Sequence, residues 1–370
     1  MIKYLLSFAM LVAAFAMPAQ ATTVFSPKIT QSLKYLSHGL NVDTITSSSP
    51  SGYPEANLQQ LSALGITNIR VPVLVGMIVA GTPLDSGGVT TQPVVDAAMA
   101  KLDGLVASFL NHGFSVTLCV FTTKGMQALP VQQSAPFLIQ GNRMLAARYG
   151  PVSADRIFLE VLNEPHMDVN TWNTLAPQLV TAARQSAPGN TIIVDSAWNA
   201  IPTNLPFLNP ISDSNVIYNM HVYQPSNLTT QGSLTPIDPL YLFPKPVGAV
   251  GPPGSEVAKE WTAQKLSSYV MAGITWSRQH KLPLTMNEFG ISKYCDPQSE
   301  INWLSFMRQI TDANSIPWAF WGYYHLFPTD LATQTPNYDP VVWQALGPNP
   351  LLLNFGISFK TGLAPFVLFD

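Results

Sequence analysis

Charge and cysteine are what this 370-residue chain has least of. Only 11% of its residues are Asp, Glu, Lys or Arg, against about 25% in an average soluble protein. The formal net charge of -3 leaves no basic footprint, so neither nucleic acid nor an anionic lipid surface is an expected partner. Neutral ligands such as sugars suit so sparsely charged a chain. Two cysteines allow one bridge at most. Cys119 stands in an apolar, strand-like run and Cys295 in a polar loop, and two separate thiols are the simpler expectation, although export would permit a disulfide. Several motifs are missing too. Without His-Glu-x-x-His or paired Cys-x-x-Cys there is no support for a zinc site. No Gly-x-Ser-x-Gly elbow and no Walker loop occur.

Long apolar runs are also scarce. The longest opens the chain: Lys3 is followed by an apolar stretch from Tyr4 to Met17 and then by Ala19-Gln20-Ala21. A basic start, a short apolar core and a small-x-small site describe a secretory leader cut after Ala21. A membrane anchor is the alternative, but the run is short for a span and no stop-transfer charges follow. The expectation is residues 1–21 as signal peptide, a secreted or periplasmic product without a membrane span, and one catalytic domain over 22–370. The oligomeric state is not legible.

What is present is alternation. Strand-like runs at 35–41, 67–75, 114–121, 156–162, 191–195, 216–222, 282–286 and 316–321 are separated by amphipathic stretches at 54–64, 94–110, 137–149, 171–186, 257–280 and 300–313. Eight strands alternating with helices imply an α/β fold with a parallel sheet, closed as a single (β/α)8 TIM barrel. The competing doubly wound sheet lacks its phosphate fingerprint, because Gly248, Gly251 and Gly254 have the wrong spacing and no immediate helix. The segment 224–255, rich in Pro, Gly, Ser and Thr, should overhang the face where strands end. The stretch 351–359 reads equally as a closing helix or an extended cover.

In such a barrel, chemistry gathers at the C-terminal ends of the strands. The fourth strand delivers Asn163-Glu164-Pro165 and the seventh Asn287-Glu288-Phe289-Gly290. The second, sixth and eighth deliver Arg70, His221-Val222-Tyr223 and Trp321. Polar groups at the ends of apolar strands are costly unless paired or used. Glu164 and Glu288 would meet across one mouth, and two carboxyls flanking a sugar bond are what glycoside cleavage needs. Trp198, after the fifth strand, is a candidate for stacking a neighbouring sugar, with a structural role the open alternative.

These residues resemble glycoside hydrolase family 5, the cellulase family, from Gly39-Leu40-Asn41 through to Trp321. The resemblance implies Glu164 as general acid/base and Glu288 as nucleophile, with Asn163 on the sugar 2-hydroxyl and Tyr223 donating to the nucleophile. It further implies His221 beside the acid/base, Arg70 orienting Glu288 and Trp321 under the reacting sugar. It implies retaining, internal cleavage of a β-linked polysaccharide, first of all a β-1,4-glucan, with no metal or organic cofactor. A mannan, a β-1,3-glucan or an exopolysaccharide are compatible substrates. One departure stands out. The family usually ends its third strand in Asp-x-His, and here Cys119 and Phe121 take those places. Thr122 and Thr123 are the nearest compensating donors, and a catalytically silent sugar-binding barrel is the alternative this departure raises.

Overall fold

The computed structural model describes residues 24–45, 51–234, 236, 241–244, 261–326 and 339–363. The proposed leader lies outside them, as do residues 257–260 and much of the 224–255 segment. Within them, eight parallel strands close into a barrel in chain order. They are β1 (His38–Asn41), β2 (Asn68–Leu74), β3 (Ser115–Phe121), β4 (Ile157–Glu160), β5 (Ile192–Asp195), β6 (Val216–Val222), β7 (Leu284–Phe289) and β8 (Trp318–Trp321). β8 returns to β1 with Leu40 opposite Phe320. The longer helices are α1 (Pro27–Tyr35), α2 (Glu55–Ala63), α3 (Gln92–Asn111), α4 (Val131–Tyr149), α5 (Val169–Ser186), α6 (Ala263–His280), α7 (Pro297–Ala313) and α8 (Pro340–Leu346). No helix among the described residues is long and apolar enough to cross a membrane.

The strand period of two builds two cores from one sequence. Along β3, Val116, Leu118 and Val120 join the apolar layer between sheet and helices. Their neighbours Ser115, Thr117 and Cys119 point to the barrel axis and are fully buried there. Space at the axis is tight where the barrel closes, since a Cβ on Gly39 would come within 2.6 Å of the Ala319 Cβ. A side chain there would therefore force β1 and β8 apart.

Helix α1, with its Ser26 N-cap, has no counterpart in the sequence reading. It plugs the end of the barrel opposite the strand C-termini. Phe25, Ile29, Leu33 and Leu36 pack on Phe158, Ile193 and Ile217, the inward residues of β4, β5 and β6. Ser32 Oγ lies 2.7 Å from Thr191 Oγ1, and Lys28 pairs with Asp155 at 2.8 Å.

Several boundaries move. α4 begins at Val131 with Pro136 inside it, whereas the sequence reading started it after that proline. Pro136 is the sixth residue, past the first turn, so the helix forgoes the bond that an N–H there would give to Gln132 O. α6 is described from Ala263. β7 runs on to Phe289, because His221 pairs with Glu288 and Val222 with Phe289 across a register shift. Residues 351–363 form no helix; their exposure alternates residue by residue, and Phe355, Ile357 and Phe359 pack on the core. This is the extended cover.

The plug can be tested. Leu33 is 2% exposed, and truncating such a leucine opens a cavity costing about 2–5 kcal/mol. Leu33→Ala should lower the urea midpoint accordingly; a midpoint within error of the parent would mean that α1 is not part of the cooperative core.

Candidate active site

The strands bring one ion to the centre of the barrel mouth. Arg70, on β2, is fully buried. Its Nε and Nη2 donate to the two oxygens of Glu160 at 2.8 and 2.7 Å. Its Nη1 donates to Glu288 Oε2 at 2.7 Å and to Asn41 Oδ1 at 2.8 Å. Nη2 also reaches Asn163 Oδ1 at 2.8 Å and Cys119 Sγ at 3.2 Å. Burial opposes this charge, but Cys119, Glu160 and Glu288 around it hold the guanidinium well above even its ordinary pKa.

Around Arg70 stand the groups singled out above. Tyr223 Oη donates to Glu288 Oε1 at 2.9 Å. His221 Nδ1 lies 3.0 Å from Glu164 Oε1 and 3.7 Å from Glu288 Oε2. One ligand-type atom each of Glu164, His221 and Glu288 falls within a 4.8 Å span. Trp321 shares with both carboxylates the wall of a cleft of about 710 Å³. Asn163, Glu164 and Thr122 border a second hollow of about 230 Å³. Six of the eight candidates thus form one polar network and Trp321 faces it. Trp198 is different. Its backbone N–H bonds Pro165 O at 2.8 Å, but its side chain is 55% exposed and borders neither cavity.

Glu160 and Asp195 were missed, and Asn287 was named only as part of its strand-end run; for the two acids, a buried carboxylate amid apolar neighbours was the available signal. Asn287 Oδ1 is 2.9 Å from His221 Nε2, and its Nδ2 donates to Glu160 Oε2 at 2.6 Å. With the amide nitrogen held by a carboxylate, the amide oxygen must accept from Nε2–H. Nδ1, facing Glu164, is then the nitrogen that titrates. Asp195 accepts the Glu164 N–H at 2.9 Å and the Asn219 amide at 2.7 Å. Glu164 needs that hold, since its φ of 42° is a left-handed conformation costly for a side-chain-bearing residue.

The charges follow from this packing. Burial lowers the His221 pKa, but Glu288, Asp195 and Glu164 more than reverse it, bringing it to about 10. Burial works to raise Glu164, and the His221 hydrogen bond and charge outweigh it, so its pKa is lowered. Burial raises Glu288 against the pull of His221 and Arg70. Both of its oxygens nonetheless face donors, the arrangement that satisfies an anion. Asp195 is pushed up to about 8 by burial and the Glu160 charge.

The third-strand departure is part of this site. The Arg70 Cζ lies 5.5 Å from the centroid of the half-buried Phe121 ring, so Phe121 ends its strand at the mouth. Thr123 Oγ1 is committed, donating to Pro83 O and accepting from Met126 N. Thr122 Oγ1 accepts from Gln127 and borders the hollow. Cys119 and Cys295 are separate, buried thiols.

A family model described as cellulase (glycosyl hydrolase family 5) matches residues 38–325. The chain belongs to glycosyl hydrolase family 5. This hydrolase is 25% identical over 342 residues to Endoglucanase 3 of Fibrobacter succinogenes, covering 81% of this chain and 51% of that one. It therefore spans about half the length of that relative. It is 20% identical over 273 residues to Cellodextrinase A of Ruminococcus flavefaciens, covering 71% and 76%. Among solved structures, Thermotoga maritima Cel5A in complex with mannotriose matches with a TM-score of 0.68 at 19% identity over 86% of this chain and 99% of that one. A hyperthermophilic endo-β-1,4-glucanase in complex with substrate gives 0.67 at 18% identity, over 86% and 98%. These likenesses fix the fold of the hydrolase. Membership of a hydrolase family speaks against the silent-barrel alternative.

The buried pair at the centre is open to test. Glu160→Gln leaves part of the Arg70 charge uncompensated in a fully buried place. Breaking a buried pair on one side costs about 3–5 kcal/mol. Denaturant unfolding of Glu160→Gln should show that loss, and parent-like stability would mean that the ion pair does not organise the barrel mouth.

Proposed function

We propose that this hydrolase is an exported enzyme that cuts a β-1,4-glucan internally, with retention, using Glu164 as acid/base and Glu288 as nucleophile. The spacing of the two carboxylates carries this reading. An oxygen of each lies within 4.8 Å of the other. Retaining enzymes keep the pair about 5–5.5 Å apart, and inverting enzymes about 6.5–9.5 Å apart to admit a water between them. Arg70 and Tyr223 hold Glu288 as the anion and aim it at the anomeric carbon. Glu164 sits on the other side of His221 and draws its proton from that imidazole. The leader-like 1–21 supports export. Trp321 provides the apolar floor for a sugar ring, and Asn163, held at its oxygen by Arg70, has its amide protons left for a hydroxyl.

In the first step Glu288 attacks the anomeric carbon while Glu164 protonates the departing oxygen. In the second, Glu164 deprotonates a water that attacks the same carbon, and Glu288 leaves as carboxylate. A mannan is the second reading. Phe121 supplies no hydrogen bond at the mouth, and one structural neighbour is seen with mannotriose. The deciding experiment is release of new reducing ends from soluble β-1,4-glucan, mannan and β-1,3-glucan. Activity on none of them would sink the substrate reading.

Mechanism and substrate are checked separately. Proton NMR of fresh product should show the β-anomer first, and the α-anomer would exclude a glycosyl-enzyme. Glu288→Gln should lose about three orders of magnitude in kcat or more while keeping its fold by circular dichroism.

The pH profile follows from the shared proton. Glu288 has to be ionised, and burial raises it, so the acid limb of kcat/KM should lie above the ordinary glutamate pKa. The alkaline limb reports loss of the proton held between His221 and Glu164, and His221 retains it to about 10. His221→Ala leaves that proton on a carboxyl alone, which releases it at lower pH. The alkaline limb should therefore move down by more than one pH unit; an unmoved limb would show that the pair does not share the proton.

A further inference from the structure

We infer that Glu300, His325 and Asp339 form a binding site for a divalent cation of the zinc or manganese kind, separate from the paired carboxylates. One donor atom from each falls within a 4.8 Å span. Glu300 comes from α7, His325 from the turn after β8 and Asp339 from the N-cap of α8. Asp339 Oδ1 caps α8 by accepting from Val341 N and Val342 N, and Oδ2 is the oxygen that faces His325.

The decisive feature is a contact that is close but not bonded. His325 Nε2 is 2.9 Å from Glu300 Oε1, yet among the described residues neither atom has a hydrogen-bond partner. Glu300 is 5% exposed. A buried carboxylate without a donor is costly. An ordinary ion pair at this distance would direct an N–H at the oxygen. Two atoms this close without such a bond are arranged as lone pairs converging on a third body. The distances fit one: donors about 2.0–2.1 Å from a tetrahedral ion lie about 3.3 Å apart. The observed 2.9 Å and 3.9 Å, the latter from Nε2 to Asp339 Oδ2, bracket that value.

The other two acid–histidine groupings differ in this respect. Glu160–Asp195–His221 and Glu164–His221–Glu288 are threaded by Arg70, Asn219, Asn287 and Tyr223, which satisfy them. The donor set also selects the ion. One imidazole with two carboxylates suits zinc or manganese, whereas calcium and magnesium take oxygen alone. The ion would tie α7, α8 and the turn after β8 together behind the cleft, whose wall includes His325. Solvent on that side would complete the coordination.

The test uses the whole chain, dialysed against chelator and titrated with Zn²⁺, Mn²⁺ or Ca²⁺. Calorimetry should show one Zn²⁺ or Mn²⁺ bound per chain, with a rise in melting temperature that Ca²⁺ does not give. Glu300→Gln and His325→Gln should each weaken Zn²⁺ binding at least about a hundredfold, since loss of even an outer partner costs 10–100-fold. Both variants can be confirmed as folded by circular dichroism. A Glu164→Gln/Glu288→Gln double variant should bind the metal as the parent does. No stoichiometric binding, binding that survives Glu300→Gln and His325→Gln, or binding lost in the double variant would each overturn the assignment.

Discussion

A single guanidinium decides what the barrel mouth can be. Arg70 has no exposure at all and spends its donors on two carboxylates, two amide oxygens and a thiol from four strands or their ends. A fully desolvated charge is tolerable only where its partners are fixed. Each partner in turn fixes something else. Glu160 orients Asn287, Asn287 sets the tautomer of His221, and His221 faces Glu164. Glu288, bound on its other oxygen by Tyr223, is aimed by the same cation. Among the described residues, the paired carboxylates are therefore positioned from below, by a network in the axis.

That dependence explains which parts were legible. The barrel was visible because strand and helix periods differ and alternate eight times. Glu164 and Glu288 were visible because each stands in a short local pattern at a strand end. Glu160 was passed over inside an apolar run, Phe158-Leu159-Glu160-Val161. Its role lies in the partner β2 brings opposite, and pairing across strands is not written in local order. Helix α1 was missed for a related reason. Its apolar face is short, and what makes it structural is the open barrel floor formed by Phe158, Ile193 and Ile217. Trp198 shows the reverse limit: position after a strand end suggested a platform, but direction depends on the left-handed run Trp198-Asn199-Ala200.

The substitution at the third strand is absorbed by the same cation. Phe121 places its ring against the face of Arg70, an attraction of about 0.5–2 kcal/mol that needs no hydrogen bond. Where an imidazole would offer a sugar a polar contact, the mouth here offers an apolar edge. The hydrogen bonds that Arg70 and Tyr223 give to Glu288, and His221 to Glu164, are all made beside Phe121.

On the proposed roles, charge counting accounts for a resting site that holds Glu164 as the anion and still uses it as an acid. With Asp195 protonated up to about 8, the mouth carries Arg70 and protonated His221 against Glu160, Glu164 and Glu288, a surplus of one negative charge. On the proposed roles, the proton given to the leaving oxygen passes from His221 Nδ1 through Glu164. Imidazole then becomes neutral in the same step in which Glu288 loses its charge to the sugar. The surplus stays at one throughout, so no new charge is created in a dry site, where it would be expensive. Once Glu288 is neutral, the His221 proton has also lost the anion that most favours it. Glu164 is left as a free carboxylate beside a neutral imidazole, the form needed to take a proton from water. Return of that proton to Nδ1 restores the starting state without bulk solvent entering the pair.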